Sequence, residues 1–160
     1  MKAMIVIFSK TGHTREFAEK IAEQIRSNGN EADIHNLETV QPIPENMNPT
    51  SMDFELKPTP DLAGYDYLLV GTPVWAFRAA PFVLKYLKGL DNLKGKKVIP
   101  FVTMGFPWTF LGGSAAIGKI ANLALSKGAI PLKGLVITYL LSKPHELMDR
   151  EAQRIGIAIR

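Results

Sequence analysis

The six residues Ser9-Lys10-Thr11-Gly12-His13-Thr14 concentrate the first chemistry in the sequence. They follow an apolar run, Lys2–Phe8, and precede a stretch with Phe17, Ile21 and Ile25 spaced four apart. That context predicts a buried strand, a polar loop and the start of an amphipathic helix. Three hydroxyls, one glycine and the free N–H groups of a helix N-terminus form a place that stabilises a dianionic phosphate. Gly12 lets the backbone curl where a Cβ would obstruct it. The loop is neither GxxxxGK(S/T) nor GxGxxG, so no phosphate-clamping lysine and no magnesium hydroxyl is placed. Phosphate held by hydroxyls and N–H groups suits a bound cofactor better than phosphoryl transfer. The bland alternative is a Ser/Thr-rich helix cap.

Two further segments supply aromatic chemistry. Gly71-Thr-Pro-Val-Trp-Ala-Phe77 reads as a loop that carries Trp75 and Phe77, with Pro73 stiffening the turn. Beside a phosphate cradle such a loop suits a flat ring system. Taken alone, Trp75 reads as core packing; its pairing with the first loop reverses that. Thr103-Met-Gly-Phe-Pro-Trp-Thr-Phe-Leu-Gly-Gly113 offers Phe106 and Trp108 as aromatics for a second ring face, with Gly105 allowing close backbone approach. Trp108 fits a hydrophobic dimer patch equally well. Gly112-Gly113-Ser114 resembles an anion nest, but a flexible helix entry is the simpler reading.

Other chemistries find no support. There is no cysteine, which excludes disulfides, thiolate nucleophiles, Cys-ligated clusters and zinc ribbons. His13, His35 and His145 are scattered, with no metal-binding spacing. No GxSxG elbow exists, and Asp61, Asp66 and Asp91 form no evident pair. No catalytic residue and no metal ligand is therefore assigned.

The elements that position these loops follow from pattern. Tyr65–Gly71 and Lys96–Met104 read as strands, the second despite Pro100, which predicts a bulge or a strand start nearby. Glu31–Leu37 is a short strand and Ala129–Leu140 a broken one. Helices are expected over residues 15–29, from Pro81 to Gly89, from a Ser114 cap to Gly128, and from Ser142 and Pro144 onward. Residues 38–60 hold Pro42, Pro44, Pro49, Pro58 and Pro60 and read as an irregular connection with room for one short helix. The alternation implies an α/β chain of parallel strands, with helices on both sheet faces. Ligands of such sheets bind at the carboxyl ends of the strands, where all three loops lie.

The 160 residues suit one domain, residues 1–160, able to bury about 69% of its unfolded surface. Hydrophobic residues make up 46% and charged residues 21%, which excludes disorder. No run approaches a membrane span, and MKAMIVIFSK is too short for a signal peptide, so a soluble cytoplasmic protein is the expectation. Net charge is +4, split between an acidic first half (seven cations, eleven anions) and a basic second half (twelve and four). The cations are dispersed, and nucleic-acid binding is not expected.

In these motifs the chain resembles the flavodoxin family of FMN-binding proteins, short-chain type. Ser9, Thr11, Gly12 and Thr14 match that family's (S/T)xTGxT pattern, and Gly71–Trp75 resembles its second flavin loop. The resemblance implies a three-layer α/β/α sandwich with a five-stranded parallel sheet in the order 2-1-3-4-5. It implies non-covalent FMN, with phosphate on Ser9, Lys10, Thr11, Gly12, His13 and Thr14. The flavin ring would lie between Thr72, Pro73, Val74, Trp75, Ala76 and Phe77 on one side and Thr103, Met104, Gly105 and Phe106 on the other. Departures from the family are the basic charge and a third loop without the usual acidic, Tyr-containing pattern. Lys10 and His13 also stand where the family relies on neutral donors. Three roles remain open: an electron carrier between redox partner proteins, an FMN-dependent NAD(P)H oxidoreductase of quinone-reductase type, or a binding module without flavin. A homodimer also remains open.

Overall fold

The computed structural model describes residues 1–140 and 143–159. In β1 (Lys2–Ile7) both strand faces are apolar, and it takes a central place. The remaining elements are α1 (His13–Ser27), β2 (Glu31–Asn36), β3 (Tyr67–Trp75), β4 (Arg78–Ala79), α2 (Pro81–Gly89), β5 (Lys97–Met104), α3 (Gly113–Ser126), β6 (Ile130–Pro131), β7 (Leu135–Thr138) and α4 (Pro144–Ala158). The sheet runs β2-β1-β3-β5, with β6 and then β7 along the far side of β5, all in parallel. Since β6 and β7 are two pieces of one broken strand, the five strand positions follow the expected order 2-1-3-4-5.

Strand residues alternate between two cores. Ala3, Ile5, Ile7, Leu69 and Phe101 pack with Phe17 and Ile21 of α1 and Met148 and Ala152 of α4. Met4, Val6, Leu68, Val70 and Val102 pack with Phe82 and Leu87 of α2 and Ile120 of α3. Neither face is open to water, which is why the strands read as continuous apolar runs. The third layer on the α2 side is completed differently from expectation. Residues 38–60 form no helix; one bridge, Thr39 to Leu56, closes them into a loop. Ile43, Met47, Phe54 and Leu56 from this insert pack on the core where a crossover helix would lie. Lys85 of α2 ties it down, donating to the carbonyls of Met52 and Phe54, and Lys96 donates to those of Leu62 and Tyr65.

Other expectations are met in part. Pro100 lies inside β5, as expected, three residues after the strand begins, and the irregularity falls in the neighbouring strand, which breaks between β6 and β7. Val98 accepts from Leu132 N–H on that side, while Lys97 donates toward β3 through Asp66. Pro100 shares the orientation of Val98, so its missing donor faces the gap between β6 and β7. The N-cap of α3 is Gly112, and Ser114 is an exposed residue inside the helix. The last helix begins at Pro144 after Lys143; Ser142 lies outside the described residues.

Two stability predictions arise here. Tyr86 Oη is buried without a hydrogen-bond partner, and burial pushes its pKa up. Tyr86→Phe removes that cost, so unfolding in urea should show no loss of stability and a gain of up to about 1 kcal/mol. His35 on β2 is partly buried, which holds its pKa below the ordinary 6.5. The unfolded chain therefore takes up the proton first. The contribution of His35 is complete above about pH 6.5 and is lost as pH falls through the lowered folded value. His35→Gln should flatten the drop in stability between pH 7.5 and 5.5.

Candidate functional site

Parallel strands place all their carboxyl ends on one edge, so the three loops meet there. The first differs from expectation in one respect: α1 already begins at His13, so His13 and Thr14 belong to its first turn. Gly12 is the N-cap in the left-handed region, with φ 97°, and has no side chain with which to cap the helix. Arg15 N–H donates to Ser9 Oγ at 3.3 Å and Glu16 N–H to the Gly12 carbonyl at 2.9 Å. The N–H groups of Gly12, His13 and Thr14 therefore have no partner within the helix. Ser9, Lys10, Gly12 and Arg15 line an open cleft of about 390 Å³ together with Asn36, Leu37 and Glu38. Lys10, Thr11 and Arg15 are exposed around it. Lys10 and Arg15 oppose the helix dipole, so they favour an incoming anion and not the helix itself.

Thr14 faces inward. Its hydroxyl lies 2.8 Å from that of Thr103 at the end of β5, and both side chains are buried. Each hydroxyl has one hydrogen, so this bond leaves one hydrogen of the pair to serve another acceptor. Thr72 is also buried. Its hydroxyl donates to the Pro73 carbonyl and accepts from Ala80 N–H, which positions it as a brace for the next segment.

That segment is a hairpin and not an open loop. β3 runs on through Trp75 and pairs antiparallel with β4, Val74 opposite Ala79 and Trp75 opposite Arg78. The two turn residues, Ala76 and Phe77, have φ of 46° and 64°. A two-residue turn with both φ positive matches the twist of its strands, but glycine or asparagine usually occupies it. Alanine and phenylalanine here cost about 1–2 kcal/mol each in backbone strain. The strained turn holds Trp75 half-buried, edge-on to Phe8 and Phe82 at 5.4 and 5.6 Å between ring centroids. Lys10 Nζ lies 5.5 Å from the Trp75 ring centroid, so the first and second segments converge.

The third loop touches the second through backbone. A Cβ on Gly112 would lie 2.5 Å from the Phe77 carbonyl carbon. Met104 is buried, whereas Phe106, Trp108 and Phe110 project outward with half or more of their surface exposed. Phe77 is exposed beside them. Pattern reading missed two participants. Tyr139, just beyond β7, stacks on His13 with centroids 3.9 Å apart and approaches Gly105, linking the first and third loops. The second is the insert: Ile43, Pro44 and Met47 join Lys10, Val74 and Trp75 around a cleft of about 370 Å³. Only the packing reveals it, since nothing in the spacing of the prolines points to the hairpin.

No family model and no curated protein matches the sequence. Solved structures do match. A flavodoxin from the domain Archaea superposes with a TM-score of 0.69 at 19% identity, over 99% of this chain and 96% of the other. A Streptococcus flavodoxin gives 0.65 at 20% identity, over 99% and 100%. A flavoprotein from Lactobacillus acidophilus, solved in complex with FMN, gives 0.61 at 19% identity, over 84% and 92%. The chain therefore has the flavodoxin-like fold. Among the described residues no helix is long and apolar enough to cross a membrane.

Proposed function

We propose that this chain binds FMN non-covalently and carries electrons between redox partners. The observation that carries the reading is the N-terminus of α1 at the exit of β1, where Gly12 offers no capping side chain and Ser9, Lys10, Gly12 and Arg15 line a cleft. The donor set fits a phosphate monoester: backbone N–H groups of Gly12, His13 and Thr14, the Ser9 and Thr11 hydroxyls, and two nearby cations. The half-buried Trp75 beside this cradle fits a flat ring. The FMN found in the Lactobacillus acidophilus neighbour agrees with it.

FMN, when bound, supplies one- and two-electron redox chemistry. The chain's part is to hold and tune. The cradle anchors the phosphate end. Thr72 and the strained Ala76-Phe77 turn keep Trp75 in place, and the Phe8 and Phe82 rings back it. The exposed rim of Phe77, Phe106 and Trp108 leaves an edge of the site open to a partner surface. Reductive titration of the FMN-loaded chain should show two separated one-electron steps in its visible spectrum. A colourless chain that takes up no FMN would overturn the reading. A second reading, FMN-dependent NAD(P)H oxidoreductase, is favoured by the cleft that the insert builds against Trp75. Anaerobic bleaching by NADH or NADPH within seconds would select it over the carrier.

A further inference from the structure

The sheet ends at β7, which among the described residues pairs with β5 alone. We propose that its outer edge accepts a further strand from a partner protein, an extended segment with acidic residues at every second position. This inference goes beyond the reading above and does not require FMN.

Alternation in the β5–β7 ladder fixes which groups are on offer. Tyr139 N–H donates to the Met104 carbonyl, so Leu135 and Ile137, in phase with Tyr139, face β5. Val136 therefore turns its N–H and carbonyl away from the sheet, and neither has a partner among the described residues. An unpaired edge is a template for strand addition. Apart from its shortness, β7 lacks the devices that blunt such an edge: Leu135–Thr138 holds neither a charge nor a proline.

A groove of about 420 Å³ runs along this edge. It is lined by Gly134, Leu135 and Val136 at the edge, by Thr109 ahead of α3, and by α4. Since α3 and α4 cover opposite faces of the sheet, a space bounded by both sides lies at the sheet's end. Leu135 and Leu147 give it apolar surface, and its charges are mostly of one sign: Lys133, Arg150 and Arg154 against Glu151. Glu151 accepts from the Nε of Arg150 and of Arg154, at 3.3 and 2.9 Å, which leaves their Nη hydrogens to serve another carboxylate. The other carboxylates of α4, Glu146 and Asp149, are engaged by Lys143 and Lys20. Arg150 and Arg154 stand about 6 Å apart along the helix, close to the spacing of about 7 Å between side chains on one face of an extended strand. Acidic residues at alternate positions match them. A second copy of this chain fits less well. Glu31 and Asp33, the alternate carboxylates on β2 at the other end of the sheet, are already held by Lys2, and Asp33 also by Tyr65.

The probe is the peptide acetyl-Thr-Glu-Val-Glu-Val-Glu-Thr-amide, titrated into the full chain labelled with nitrogen-15. The expected result is saturable binding that shifts the Val136 amide and slows its hydrogen exchange. Two N-methylated versions, one blocked at the glutamates and one at the valines, should differ in affinity by about tenfold or more, because a strand turns alternate N–H groups to opposite sides. Arg150→Gln/Arg154→Gln, at exposed positions, should leave the chain folded and weaken binding by about tenfold or more. Equal affinity for the two methylated peptides would mean charge attraction without strand addition and would overturn the proposal. Unchanged affinity in the folded double variant, or absence of saturable binding, would overturn it as well. Protection of Val136 that appears on concentrating the chain without peptide would assign the edge to a second copy, against the proposal.

Discussion

Gly71→Ala is expected to destabilise the folded chain by about 3 kcal/mol, the upper part of the range for overpacking a core. Gly71 lies in β3 between Ile7 of β1 and Phe101 of β5. A Cβ there would sit 2.2 Å from Phe101 Cζ and 2.9 Å from Ile7 Cγ2. Phe101 is fully buried and meets Phe17 of α1 edge-on at 5.3 Å, so it has no free direction in which to move. For a chain of this size the loss corresponds to a melting temperature lower by about 10 °C. Pushing Phe101 against Phe17 also disturbs α1, whose N-terminus carries the proposed phosphate site. Phe101→Leu removes the clashing ring edge at a cost of roughly 1–2 kcal/mol. The double variant Gly71→Ala/Phe101→Leu should therefore be at least about 1 kcal/mol more stable than the sum of the single changes. Additive losses in urea unfolding would show that the strand contact is not the cause.

The second large effect concerns the cradle. FMN is expected to bind on the order of a hundredfold more tightly than riboflavin, about 3 kcal/mol, because charge-assisted hydrogen bonds to the phosphate are the difference between them. Thr11→Glu separates this effect from folding. Thr11 is exposed at the loop tip, just before the start of α1. A carboxylate near a helix N-terminus is favourable for the helix, so the variant should melt no lower than the parent. The same carboxylate repels a phosphate dianion. FMN affinity should fall at least tenfold while riboflavin affinity stays within about twofold. Equal losses for both flavins would mean that the phosphate does not sit on Ser9–Thr14. Raised salt should weaken FMN binding in the parent by the same screening argument.

Much of this fold was legible because each parallel strand is apolar on both faces. Lys2–Phe8 and the run through Leu68, Leu69 and Val70 admit no reading as surface strands. The helix stops were legible for a local reason. Gly29 and Gly128 follow the ends of α1 and α3 with positive φ, as a chain leaving a helix requires. Two readings failed where a non-local contact decided the outcome. The hairpin at Trp75 uses alanine and phenylalanine in a turn that local preference assigns to glycine and asparagine, so the segment read as an open loop. The cap of α3 fell to Gly112, whose backbone lies against Phe77, and not to the serine two residues on. The strand through Pro100 was read correctly, and its missing donor faces a gap in the neighbouring strand.

By itself the sequence determined the class of fold and the hydroxyl-rich loop that leads into α1, because both rest on contacts within a few residues: hydrophobic period, helix polarity and hydroxyls next to a strand end. Tertiary structure alone decided what surrounds the cradle. It turned Thr14 inward onto Thr103, stacked His13 on Tyr139, and folded the proline-rich insert into the place of a crossover helix, where it lines two clefts. These pairs are 89, 126 and more than 20 residues apart or belong to different layers. No periodic signal spans such distances; only the packing of α1, the hairpin and the insert around one sheet edge brings them together.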